Sequence, residues 1–223
     1  MQTACNPLPD IGVYFPNSNP TLLSPNSDYE LPLYQTKDSL QDLEVYRSFL
    51  KSVEKMFRGS IRYTHYKAFL YDIGLNKSQV HGYITSDMAP IEMHHAILNL
   101  YEISLMLTEH LLNQTGFVTT FDVVRLLKLE HSEHNIAMVM LDETSHQQYH
   151  NEPGFYLHPD MCFGHWKTLI KKYKDGLTQD LAFKILYYVN KSLKVGTTDD
   201  AGLLDLREEI KDWSNLNEYY RTE

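Results

Sequence analysis

Apolar positions along the 223-residue chain change period several times, and each change marks an element. Leu43, Tyr46, Leu50, Val53 and Phe57 recur every three to four residues between Ser39 and Gly59, which predicts a helix capped by Ser39 over about 39–58. A shorter helix follows over 62–73 and stops at Gly74. KSQVHGYIT (77–85) alternates in polarity and predicts a strand, and the turn SDMAP leads to a second short strand, IEMHH (91–95). Residues 98–112 are apolar around most of a helical circumference and predict a buried helix. Thr119 or Thr120 starts the helix FDVVRLLKLEH. IAMVML (136–141) is an apolar run of strand length, and SHQQYHN (145–151) predicts a short helix ended by Pro153-Gly154. Two helices, about 164–175 and 178–193, close the core. The fold class expected is α+β, mostly helical around a small pair of strands with one helix.

Composition changes this picture at the two ends. Six of the nine prolines lie in the first 32 residues, which predicts an extended arm over 1–38 ahead of a single helical domain over 39–195. Residues 196–223 read as an acidic tail, within which DLREEIKDWSNL has a helical pattern. The net charge of −9 is carried by those ends: residues 1–45 hold six acids and one base, and residues 198–223 hold eight acids and three bases. The middle is close to neutral, so charge neither requires nor forbids a nucleic-acid partner. Leu98–Leu112 is too short to span a bilayer and contains Glu102, Glu109 and His110, so no membrane association is expected. Two cysteines and an N-terminus without an apolar signal core fit a cytoplasmic protein.

Histidine carries the candidate chemistry. Nine of the eleven histidines fall between residues 81 and 158. His146 and His150 are four apart on a predicted helix, so both project from one face and can chelate one cation. His94 and His95 are adjacent on a predicted strand and point to opposite faces unless the strand bends there. Asn135 stands just before the strand 136–141. Neutral imidazoles leave a divalent ion its full charge and an open position, and an imidazole titrates close to neutral pH.

The order strand–His-His, insertion, Asn–strand, helix–HxxxH resembles the HNH endonucleases, whose core is a ββα-metal unit, here about 77–151. The resemblance implies that His94, His146 and His150 bind one divalent ion. It implies that His95 is the general base and that Asn135 fixes the loop orienting it. The function implied is metal-dependent hydrolysis of nucleic-acid phosphodiester bonds, with DNA the expected substrate and Mg²⁺ the default ion. Imidazole ligands suit Zn²⁺, Mn²⁺ or Ni²⁺ equally. The chain departs from the family in having 39 residues between His95 and Asn135, no CxxC pairs, and Ala-Ile-Leu after the histidine pair. The segment EMHH with its following apolar helix is also similar to uncharacterised proteins of tailed bacteriophages, which would place the chain in the host-cell cytoplasm.

Plainer readings stand beside these. His131 and His134 suit the C-terminal end of a helix, and His158 and Cys162 suit a loop and a buried thiol. Lys167, Lys171 and Lys172 are candidates for phosphate contact, although a solvated helix face explains them too. Arg58, Arg62 and Lys67 are ambiguous in the same way. The rival function is a non-catalytic phage accessory protein, with zinc tying the core together and the arm or acidic tail binding a protein.

Overall fold

Side-chain caps decide where the helices begin. In the computed structural model, which describes residues 35–152 and 155–214, Asp42 caps α1 (Leu43–Arg58) by accepting from the amide of Glu44 at 2.8 Å. Ser39, the cap expected from sequence, lies instead in a 3₁₀ turn, Ser39–Gln41, where its hydroxyl bonds Gln35 and Thr36. Ser60 caps α2 (Ile61–Asp72). Reciprocal capping boxes start α3 (Leu100–Thr115), from Asn99 with Glu102, and α4 (Thr120–Ser132), from Thr119 with Asp122. The chain continues through α5 (Glu143–Asn151), α6 (Trp166–Lys172), α7 (Gln179–Val195) and α8 (Asp200–Ser214).

Two small antiparallel sheets complete the described residues. β1 (Gln35–Thr36) pairs with β3 (Phe117–Val118), so the last residues of the expected arm are ordered against the domain. The rest of that arm, 1–34, lies outside the described residues, as do 215–223 and the Pro153-Gly154 stop. β2 (Ile91–His95) pairs with β4 (Met138–Asp142), with His94 opposite Val139 and His95 opposite Met138. The long insertion between them holds α3, β3 and α4. Met138 to Leu141 are buried on both faces, which is why that segment is apolar without alternation. The fold is α+β and mostly helical, with a β2–β4 pair followed directly by α5.

The strand expected over 77–85 is a correction. Those residues form turns closed by a single bridge between Lys77 and Thr85. Their polar groups explain the difference. The amide of Gln79 donates to Met140 O at 2.8 Å and its side-chain oxygen accepts from the Met140 amide at 2.7 Å, so the segment clasps the free edge of β4. Ser78 is buried and donates to the Asp142 carboxylate at 2.6 Å.

The acidic C-terminal segment is not a free tail where it is described. α8 buries Leu203, Leu206 and Ile210 against α6 and α7. Its acids pair with α6 and the turn after it: Asp205 with Lys171, and Glu209 with Lys171 at 3.4 Å and Lys174 at 2.9 Å. One hydrophobic cluster runs from Leu40 through Phe49, Leu107, Met140 and Leu186 to Ile210.

Candidate metal centre

β2 and α5 meet at a corner that gathers three imidazoles. Asp142 builds the corner, because the last residue of β4 is also the N-cap of α5 and accepts from the Ser145 amide at 3.0 Å. Burial pushes its carboxyl upward, but hydrogen bonds from Ser78, His81 and Ser145 outweigh that and hold it well below the usual carboxylate range. α5 is thereby fixed to leave β4 across the face of β2 that carries His94. His146 and His150, one turn apart, then face His94.

The convergence is through the ε nitrogens. His150 Nε2 lies 3.2 Å from His94 Nε2 and 3.1 Å from His146 Nε2. All three offer a ligand atom within 4.8 Å of one another, so the group could hold a metal ion. A tetrahedral ion with bonds to nitrogen of about 2.0–2.1 Å separates its ligand nitrogens by about 3.3 Å, close to the spacing seen here. The δ nitrogens are occupied elsewhere. His94 Nδ1 donates to the His95 carbonyl at 2.6 Å, and His146 Nδ1 lies 2.8 Å from a Glu92 carboxylate oxygen. Both contacts favour the proton on Nδ1 and leave the Nε2 lone pair for a ligand role. Tyr149 sets its ring edge-on to His94 with centroids 4.6 Å apart. Burial, and then the neighbouring His146, His150 and Arg58, lower the pKa of His94 to about 4 despite the bond to the His95 carbonyl, so it is neutral across the working range. His150 is exposed and Glu92 is half-exposed, which leaves one side of the group open to solvent.

His95, adjacent in sequence, is on the opposite face. It is buried, and its Nε2 lies 3.0 Å from Nε2 of His131. His131 donates its own Nδ1–H to Leu127 O at 2.6 Å, so its Nε2 accepts and His95 donates. Burial and the surrounding charges keep His95 neutral. The general-base placement expected for His95 therefore fails on geometry: β2 stays regular through residue 95, and adjacent strand residues cannot share a site. Asn135 is also buried, and donates to Glu130 at 2.8 Å and Glu133 at 3.1 Å rather than positioning His95. Glu130 in turn accepts from Lys172 Nζ at 2.7 Å and Tyr173 Oη at 2.5 Å, a network that ties α4 to α6.

The lysines expected to meet phosphate are engaged within the protein. Lys167 pairs with Asp199, Lys171 with Asp205, and Lys172 with Glu130 and Glu133. His158, in a loop, bonds Gly196 O at 2.9 Å, and Cys162 is partly buried against the core, its thiol pushed up to about 12 chiefly by desolvation. Glu92 is the residue that sequence reasoning missed at the histidine site. Its signal was available, since residues two apart on a strand share a face and Glu92 precedes His94 by two.

Fold and site together describe a mostly helical α+β protein with a three-histidine group suited to a metal ion. The chain belongs to the Bacteriophage G278-like virion protein family, which it matches over residues 17–217. No curated protein and no solved structure matches it. The phage likeness read from EMHH holds at the level of a phage virion family, and nothing in these comparisons supports membership of an HNH family.

Proposed function

We propose that the protein is a component of the phage particle in which His94, His146 and His150 hold one divalent transition-metal ion that locks α5 onto β2. The convergence of three Nε2 atoms, that of His150 lying 3.1–3.2 Å from the other two, with the δ nitrogens of His94 and His146 held by a carbonyl and a carboxylate, carries this reading. Three imidazoles favour a borderline ion such as Zn²⁺ over Mg²⁺, which prefers oxygen ligands. The fourth position faces solvent and is filled by water or by a side chain of a neighbouring protein in the particle. The proline-rich arm is the segment best suited to reach such a neighbour.

Phosphodiester hydrolysis, the activity that the HNH resemblance implies, needs a base beside the metal-bound water. His95 faces away, so the structural role of the ion is the reading that the geometry favours. Melting the protein with added Zn²⁺, Mg²⁺ or chelator, and incubating each sample with supercoiled plasmid, tests both. Under the proposal Zn²⁺ raises the melting temperature, Mg²⁺ does not, His146→Ala abolishes the shift, and the plasmid stays intact. Metal-dependent nicking lost in His94→Ala would replace the structural reading with the hydrolytic one.

A further inference from the structure

The bases of this acidic chain are not evenly spread. Residues 47–67 hold six bases, Arg47, Lys51, Lys55, Arg58, Arg62 and Lys67, against the single acid Glu54, in a chain of net charge −9. On α1 they form a stripe. Phe49, Leu50, Val53 and Phe57 are buried, and the exposed residues of 47–58 are Arg47, Ser48, Lys51, Lys55 and Arg58. The intervals of four, four and three put these four cations within about 80° of one another on the helix, along about 16 Å of its axis. Gly59 and Ser60 turn the chain into α2, and exposed Arg62 continues the stripe at that corner.

Their pairing state separates these cations from the lysines of α6 and α7. On α6, α7 and the turn between them, Lys167, Lys171, Lys172, Lys174 and Lys184 each bind a carboxylate. Among the described residues Lys51, Lys55, Arg58, Arg62 and Lys67 form no ion pair, and Arg47 pairs only with exposed Glu44. Glu54, half-buried at the edge of the stripe, is pushed toward its neutral form chiefly by burial. Among the described residues Lys37, Lys77, Arg125, Lys128, Lys191 and Lys194 also form no ion pair, but they are scattered over several elements, whereas the α1 cations stand in a regular row that a partner can meet.

We infer that the exposed face of α1, extended by Arg62, binds the phosphate backbone of nucleic acid. A row of four cations over about 16 Å suits a repeating polyanion, since one strand at about 3.4 Å of axis per phosphate sets roughly five phosphates along that length. An anionic bilayer is a poorer fit, because insertion needs a continuous apolar flank beside the basic one, and the exposed apolar residues Leu43, Val45 and Ile61 stand only at the two ends of the stripe, with none along 47–58. The contacts are to phosphate alone, so binding is indifferent to sequence. This surface stands on α1 and does not depend on the metal centre.

Full-length protein, zinc-loaded and chelator-treated, is titrated into a labelled 30-base-pair duplex and a single strand across a salt series, read by fluorescence anisotropy. Both metal states are expected to bind the duplex at low salt, about 50 mM, with log K falling as log salt rises. Replacing Lys51, Lys55 and Arg58 together by glutamine is expected to weaken binding at least tenfold and to make the salt slope shallower by about 3. Lys77→Gln with Lys194→Gln, exposed cations elsewhere, leaves both unchanged. Circular dichroism checks that the variants fold. Absence of binding at low salt, equal loss in the two variant sets, or binding only with zinc would overturn the inference. So would preference for phosphatidylserine vesicles, or for a peptide of residues 198–223, over DNA.

Discussion

At the scale of single residues, two adjacent histidines do opposite things because a strand gives them opposite faces. His94 is neutral, has its δ proton committed to the His95 carbonyl, and offers Nε2 outward. His95 is equally neutral but spends Nε2–H on His131 inside the core. Glu92 is the residue whose change separates positioning from ligation. Glu92→Gln keeps all three imidazoles but removes the charge beside His146 Nδ1, and is expected to weaken zinc binding about 10–100-fold in competition with a chromophoric chelator. An unchanged affinity would show that the carboxylate does not orient His146. His131 predicts the acid limb of stability. Burial lowers its pKa to about 4 in the folded state, against about 6.5 for an unfolded histidine. Between those values the unfolded chain binds more protons, so this contribution is complete above pH 6.5 and disappears as pH falls toward 4. Urea unfolding of chelator-treated protein should lose about 1.4 kcal/mol per pH unit from this group in that window. His131→Met should flatten the profile by that amount, and an identical profile in the variant would refute the assignment.

Elements were legible wherever local pattern alone decided them. The run 136–141 reads as a strand because it is buried on both faces, and the spacing of His146 and His150 places both on one face of α5 without any tertiary information. The segment 77–85 was misread for a tertiary reason: its alternation mimics a strand, but Ser78 and Gln79 are polar because they clasp Asp142 and Met140. The opposite faces of β2 were foreseeable, and the bend invoked to reunite His94 with His95 does not occur. Nor could spacing reveal that Asn135 serves Glu130, a partner on α4 whose own bonds reach α6. On the edge of β4 away from β2, beside Gln79, Phe163 exchanges both backbone hydrogen bonds with Met138 at 2.8 Å. Gly164 makes that approach feasible. Its φ is +110°, and a Cβ there would stand 2.3 Å from the Ile136 carbonyl oxygen. Gly164→Ala is therefore expected to cost about 2–4 kcal/mol in urea unfolding, from strain and overpacking together. A loss below the error of the measurement would mean that the loop can move off β4 freely.

At the scale of the whole molecule, charge is sorted rather than balanced. Read from sequence, residues 198–223 are an acidic tail, because composition counts charges without saying what they face. Within 200–214 Asp205 and Glu209 meet the lysines of α6 and the turn after it, while Leu203, Leu206 and Ile210 close the core beneath. Exposed ion pairs contribute little, about 0–1 kcal/mol each, so the apolar residues hold α8 in place. Each buried leucine or isoleucine contributes about 1.5–3 kcal/mol. Ending the chain at residue 197 is accordingly expected to lower the melting temperature sharply and to expose surface that binds a hydrophobic dye. A truncated protein melting with the parent would make the segment dispensable. The same sorting leaves α1 with its unpaired row of bases, on a molecule whose formal charge alone would argue against a polyanionic partner.

The metal centre is tested most directly by anomalous diffraction from crystals grown with Zn²⁺ and collected on both sides of the zinc absorption edge. One strong peak is expected at the β2–α5 corner, bonded to Nε2 of His94, His146 and His150 at about 2.0–2.1 Å. No peak there, with the three imidazoles hydrogen-bonded to one another or to water, would contradict the account.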